Sequence, residues 1–337
     1  MDDVSVIDAV PSDIVVDTTD FLFHHGTKPC PCCKGTKWRK GPGILAWESL
    51  INPVRPRLIE CTQCGTAHAP ALKSKQYTHR EGADTAGASE AANHRQKARL
   101  NVDRLTPYLR GTLPSSPSAI VVGCSTGFEI EALLNSSIPF SRVDGLEPSH
   151  MAVAVARERF RNDPRVTVFE GLVSDFPDKN YDLVMANMVW EHIPRPDQAL
   201  GIVGQHQLRG GLVSLQTPRY DNSFPRFVRG RLWYGVHDNH LWYYTRKGLE
   251  ALVTNGGYSP LDTLNVPRVA TPGFIAWRVI ELSYIQMTRY FRIKSVEQAI
   301  AARYGLQQQR RENNSPKREF FVRIDWLRDA MSIVAVR

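Results

Sequence analysis

The stretch Ala119-Ile120-Val121-Val122-Gly123-Cys124-Ser125-Thr126-Gly127 leaves a chain few ways to fold. Its short run of small and branched apolar residues reads as a strand buried in a parallel sheet. Two glycines then bound a tight turn, and Phe128, Ile130, Leu133 and Leu134 recur at helical spacing. Strand, glycine turn and helix start form the first unit of an open α/β sheet, where small ligands sit at the carboxyl ends of strands. Gly123 and Gly127 let the backbone approach a ligand closely, with Cys124 expected beneath it as a small apolar residue. Farther on, Arg142 to Glu147 gives a second short strand ending in a carboxylate, with Pro148 marking the helix start. An acid so placed can accept both hydroxyls of a ribose, so a nucleoside-containing ligand is expected. The loop matches neither the dinucleotide pattern G-x-G-x-x-G nor the triphosphate pattern G-x-x-x-x-G-K-[ST].

Beyond Ala119 the patterns alternate, which predicts a doubly wound parallel sheet. Strands are expected at 119–123, 142–146, 166–170, 182–187 and 212–217, with two more at 261–266 and 331–336. Helices are expected near 127–135, 149–161, 196–207 and 245–255. A preceding helix over 89–108 would place Ala92, Ala98, Val102, Leu105 and Leu109 on one face. The chain divides into an N-terminal arm (1–28), a cysteine module (29–70), a linker and covering helix (71–115) and the sheet domain (116–337). An insert at about 270–325 interrupts the last of these. Its segment 274–293 is strongly apolar and helical in pattern, suited to a substrate pocket, a homodimer interface or peripheral membrane contact through Arg278, Arg289 and Arg292.

With 42% hydrophobic and 23% charged residues, the composition is that of a soluble globular protein. No apolar run reaches the length of a membrane span, and the first residues are acidic (Asp2, Asp3, Asp8), so a cytoplasmic location is expected. A net charge of +8 hints at an anionic partner, but the Arg and Lys form no long run.

Five of the six cysteines lie in the 29–70 module. Cys30-Pro31-Cys32-Cys33 and Cys61-Thr62-Gln63-Cys64 each carry a C-x-x-C turn closely followed by glycine. Two such turns, separated by strand-like residues (Trp38, Ile44 to Trp47, Leu58, Ile59), predict a zinc ribbon with Cys30, Cys33, Cys61 and Cys64 as ligands. Four protein ligands leave no open position, so the Zn2+ would be structural. Disulfides do not suit a cytoplasmic protein, and a redox pair needs only one C-x-x-C. Cys32 is left over, and His24, His25 and His68 are substitute ligands.

The glycine loop resembles that of the class I S-adenosylmethionine (SAM)-dependent methyltransferases, although Val121 stands where the family has an acid and Ser125 where it has the middle glycine. Three further runs carry the resemblance over about residues 115–260. Asp178-Lys-Asn-Tyr-Asp-Leu-Val-Met-Ala-Asn187-Met188-Val-Trp-Glu191-His192-Ile-Pro194 is similar to the family's fourth strand and its exit. Arg209-Gly-Gly-Leu-Val-Ser-Leu-Gln-Thr-Pro218 is similar to its fifth strand, and Asp238 to Tyr258 to the helix that follows. The resemblance implies a Rossmann-like sheet of seven strands, the last antiparallel, with SAM across the strand ends. Gly123, Cys124, Ser125, Gly127, Glu147 and Pro148 would line the cofactor site, and Asn187 and Met188 would face the methyl group. Gly171 and Leu172 would lie over the adenine. Leu172 replaces the family's acid, so the adenine amine would fall to backbone groups, Ser174 or Asp175.

For the transfer itself, a nucleophile must be held in line, and an alcohol or amine benefits from a base. His240, His237, His192, Asp238 and Glu191 are the candidates, His240 and His237 first, while Glu191 and His192 can equally pack and anchor the loop. Tyr220, Trp233, Tyr234, Trp242, Tyr243 and Tyr244 could wall an acceptor. A small molecule or saccharide acceptor, methylated at a hydroxyl, fits the branch of the family that carries a cysteine ribbon. Two other readings use the same residues: an RNA methyltransferase gripping phosphates with Lys34, Lys37, Arg39, Lys40, Arg55 and Arg57, and a non-catalytic binding module.

Overall fold

The computed structural model describes residues 28–43, 57–69, 88–221, 240–266, 268–270, 322–324 and 330–337. At its centre are strands β4 (Ser118–Val122), β5 (Arg142–Glu147), β6 (Val168–Glu170), β7 (Tyr181–Asn187), β8 (Gln207–Pro218), β10 (Ser259–Val266) and β13 (Ala330–Val336). They form one seven-stranded sheet in the order β10-β13-β8-β7-β4-β5-β6. β4 pairs in parallel with β5 and with β7, whereas β13 runs antiparallel to both β8 and β10. The chain winds outward from β4 in one direction through β5 and β6, then in the other through β7 and β8. The switch point lies between β4 and β7, and there a ligand crevice opens beyond the carboxyl ends of the strands.

Among the described residues, five α-helices cover the sheet: α1 (Ala88–Thr112), α2 (Phe128–Leu134), α3 (His150–Arg159), α4 (Pro196–Gln205) and α5 (Arg246–Asn255). On one face Val102, Leu105 and Leu109 of α1 pack with Ile130 and Leu133 of α2 and Val153 and Ala156 of α3. On the other, Leu200 and Val203 of α4 join Leu249, Leu252 and Val253 of α5. Both faces of the sheet are thus dry, as near-continuous apolar strands require. The helix expected over 89–108 runs to Thr112, with Pro107 inside it, and Ala92 lies exposed rather than on the buried face. β8 begins at Gln207, earlier than expected, and Gly210 turns within it at φ +80°. Asp182, at the start of β7, accepts from the backbone N and hydroxyl of Ser118 at 2.8 and 2.9 Å, which sets the register of the two central strands.

The cysteine module folds as strands β1 (Trp38–Gly43), β2 (Arg57–Cys61) and β3 (Ala67–His68). It does not stand apart. Strand β9 (Trp242–Tyr243), which follows the fifth strand of the main sheet, pairs with β3 through Ala67↔Tyr243 and His68↔Trp242 and completes a four-stranded sheet. Trp242, Tyr243 and Tyr244 are buried at this junction, so they weld two units together instead of walling an acceptor. Trp233 and Tyr234 lie outside the described residues. The α5 N-cap Thr245 holds the junction from both sides: its hydroxyl donates to the Cys64 carbonyl at 2.6 Å and accepts from Gly248 N at 2.9 Å. Gly248 is a close approach, because a Cβ there would come 1.7 Å from Thr66 Oγ1.

The insert expected at 270–325, the apolar segment 274–293 and the 1–28 arm fall almost wholly outside the described residues. The insert's flanks, β11 (Arg268–Ala270) and β12 (Val322–Ile324), pair antiparallel. No described helix is long and apolar enough to cross a membrane. Thr245→Ala removes both a helix cap and the bond to the ribbon, and should cost about 1–2 kcal/mol in urea unfolding; Thr245→Ser should recover most of it.

Candidate functional site

Past Val122 the backbone takes left-handed conformations at Gly123 (φ +69°), Ser125 (φ +48°) and Gly127 (φ +90°). Gly123 N donates to the Leu146 carbonyl at 2.7 Å and lays the loop along β5. A Cβ at Gly123 would lie 2.3 Å from Val189 Cγ2, and one at Gly127 2.5 Å from Phe160 Cε2. Both glycines are therefore required twice, for backbone conformation and for space. Ser125 holds its left-handed conformation without that freedom. Its N–H donates to Glu147 Oε2 at 2.9 Å, so the carboxylate holds the loop where the family would use glycine. Glu147 Oε1 accepts from Ser149 N at 3.0 Å, and Ser149 caps α3 through Ala152 N at 3.2 Å. Pro148 stands just ahead of that cap.

Cys124 is fully buried with its sulfur toward Gly145, where a Cβ would approach to 2.6 Å. Burial, then the charges of Glu147 and Glu129, push its thiol well above the usual range, so it is inert packing beneath the loop. Gly171 N donates to the Glu147 carbonyl at 3.0 Å, bringing the exit of β6 alongside. Leu172 stands exposed there, and its N–H is held by Asp175 Oδ2 at 2.9 Å. Met151, in the first turn of α3, is also exposed although apolar; only the fold reveals it, because in sequence it reads as an ordinary helix residue. At the end of β7 the Asn187 side chain reaches the buried Glu129 carboxyl, whose pKa burial raises and this hydrogen bond lowers. Met188 follows at φ +57°, its N donating to the Gln216 carbonyl at 2.7 Å.

One turn farther, Trp190–His192 forms a short 3-10 helix. Leu241 N donates to the Glu191 carbonyl at 2.8 Å, and Tyr244 OH to the Trp190 carbonyl at 3.1 Å, so this turn and the chain before β9 are bolted together. The bolt brings His240 beside His192, with ring centroids 4.7 Å apart. Glu191 lies with them, fully buried, and burial pushes its carboxyl up to about 8. Of the three histidines expected at the reaction centre, two are thus brought together, and His237 lies outside the described residues. Glu191, a candidate base or packing residue in the sequence, turns inward with them.

The four expected cysteines converge: every sulfur lies within 4.8 Å of the others, with Cys30 to Cys64 at 3.7 Å and Cys33 to Cys61 at 3.5 Å. Tetrahedral zinc with Zn–S bonds near 2.3 Å spaces sulfurs by about 3.8 Å. The two turns repeat one backbone pattern, Lys34 N to the Cys30 carbonyl and Gly65 N to the Cys61 carbonyl, both at 2.8 Å. In the first turn the left-handed residue is Lys34 (φ +60°) and not the expected Gly35. Gly35 packs closely against the second turn, where a Cβ would meet the Gln63 side chain, Oε1 at 2.7 Å and Cβ at 3.1 Å. All six cysteines described are free. Cys32 is buried behind the cluster, its carbonyl accepting from Asn255 Nδ2 at 2.7 Å, and His68 lies outside the cluster, against Trp242. The donors fit a thiolate-bound zinc.

Strand order, antiparallel seventh strand and crevice together define the fold of the class I SAM-dependent methyltransferases. A family model described as a methyltransferase domain matches residues 92–263, and the chain belongs to that family. Among curated proteins it is 28% identical over 144 residues to an uncharacterized 37.1 kDa protein in transposon TN4556 of Streptomyces fradiae, covering 41% of this chain and 39% of that protein. It is 25% identical over 150 residues to the malonyl-[acyl-carrier protein] O-methyltransferase of Halalkalibacterium halodurans, covering 42% of this chain and 55% of that protein. The chain therefore spans about half or less of the length of these relatives. Among solved structures it is similar to SAM-bound CalS10, an amino pentose methyltransferase from Micromonospora echinaspora. That match has 23% identity, covers 37% of this chain and 54% of that one, and has a TM-score of 0.33.

Gly127→Ala should destabilise the protein by about 1–3 kcal/mol, from left-handed strain and the collision with Phe160. Pairing it with Phe160→Ala relieves only the collision, so in thermal unfolding the double variant should fall short of the sum of the two single losses.

Proposed function

We infer that this protein transfers a methyl group from SAM to a hydroxyl of a small molecule or sugar. One observation carries the reading: the Glu147 carboxylate is clasped at the strand ends between Ser125 N of the glycine loop and Ser149 N of the following helix start. In this reading Glu147 accepts the ribose hydroxyls. Gly123, Ser125 and Gly127 give the backbone close approach, with Cys124 packed beneath and Pro148 setting the turn. Leu172 and Met151 cover the adenine, Gly171 leaves it room, and Asp175 accepts from its amine. Asn187 and Met188 border the methyl group. The SAM sulfonium supplies a methyl group that is already activated. The protein's remaining tasks are to exclude water and hold the acceptor oxygen in line, with His192 and His240 weakening its O–H bond.

The same reading assigns Cys30, Cys33, Cys61 and Cys64 to a structural zinc. The RNA alternative draws less support from the ribbon, because Lys34 pairs with Asp197 at 2.9 Å and Arg39 with Glu60 at 2.8 Å, which leaves less free positive charge. The named activity of one relative, O-methylation of malonyl-[acyl-carrier protein], is on an acyl group and not on RNA.

Calorimetry with SAM tests the cofactor, and an absence of heat overturns the reading. Glu147→Gln should weaken SAM binding by about ten- to a hundredfold, the worth of charge-assisted hydrogen bonds. His240→Ala should leave SAM affinity unchanged while lowering kcat by about 10²–10⁴. Product mass after incubation of labelled SAM with native-cell extract identifies the acceptor, and if the label appears in RNA the hydroxyl assignment to a small molecule fails.

A further inference from the structure

Three side chains outside the ribbon meet at the carboxyl edge of the sheet. Glu191 and His192 come from the turn after β7, and His240 comes from the chain before β9. Their donor atoms all lie within 4.8 Å of one another. Glu191 is fully buried, and neither of its oxygens has a hydrogen-bond partner among the described residues. Removing a carboxylate from water without a partner costs several kcal/mol, and the cost is recovered only by a proton or a cation. The backbone bond between Leu241 N and the Glu191 carbonyl fixes the two segments, so the donors are placed before any ligand arrives.

We propose that Glu191, His192 and His240 form a second metal site, binding a divalent transition-metal ion such as zinc. Two imidazoles and one carboxylate are the donor set that suits zinc, cobalt or ferrous iron, and three ligands leave coordination positions open. The two sites of the chain thus differ in kind: four thiolates enclose one ion completely, whereas two nitrogens and an oxygen leave the other accessible. β3 and β9 join them through one small sheet. The binding site stands on its own geometry; its use in catalysis rests on the methyltransferase reading. There the open positions take the acceptor's hydroxyl oxygen, and the ion lowers that hydroxyl's pKa. Its proton leaves to solvent, the oxygen–methyl bond forms as the sulfur–methyl bond breaks, and S-adenosylhomocysteine departs. The imidazoles act as ligands and not as the proton acceptor.

Metal content of the full chain, purified from zinc-supplemented medium and measured by plasma mass spectrometry, tests the proposal. Two zinc ions per chain are expected in the parent and one in Glu191→Gln and in His192→Ala. His192 is only half-buried, so its variant should keep the fold, as circular dichroism checks. Growth in cobalt gives an independent reading. The parent should add weak visible bands of a nitrogen and oxygen site to the intense thiolate bands of the ribbon, and the His192 variant should lose only the weak ones. One ion per chain in the parent, with unchanged spectra in a folded His192 variant, overturns the site. If the parent holds two ions but gives no heat with SAM, the metal site stands and the methyltransferase reading fails.

Discussion

A single carboxylate ties the ligand crevice together. Glu147 ends β5, receives the glycine loop through Ser125 N, and starts α3 through Ser149 N. Three chain segments that would otherwise spring apart at the switch point of the sheet converge on its two oxygens. The bond to Ser125 also explains how the loop tolerates a side chain at a left-handed position. Loop, carboxylate and following helix form one rigid rim, and the rim sets where a nucleoside can lie.

The second organising contact is the pairing of β3 with β9. It draws the cysteine ribbon onto the main sheet, buries Trp242, Tyr243 and Tyr244 between the two, and carries His240 to His192. Thr245 and Gly248 make the joint close. The ribbon therefore acts as a brace for one wall of the crevice, and the aromatic residues of that wall serve the joint.

Much of this was legible in the residues. The sheet follows from alternating strand and helix periods, and its strand positions match those expected to within a few residues, except where β8 starts early. The four cysteines converge as their spacing implies, because C-x-x-C turns form locally. What escaped the sequence is long-range. A two-residue strand such as β9 has no periodicity to detect, and its pairing with β3 depends on the whole sheet lying between them. Which way Glu191 turns has the same origin: burial of an acid is decided by the segment packed over it. Local chemistry misled where Lys34 and not glycine takes the left-handed turn, and α1 runs past its expected end at 108 to Thr112.

The shared small sheet has a consequence for how the chain matures. The cysteines are synthesised early, yet the strand that completes their sheet is made only after five strands of the main sheet. Contacts between such distant segments form slowly, since the intervening loop must close first. A ribosome-bound chain would carry an unpaired β3 edge until Trp242 emerges.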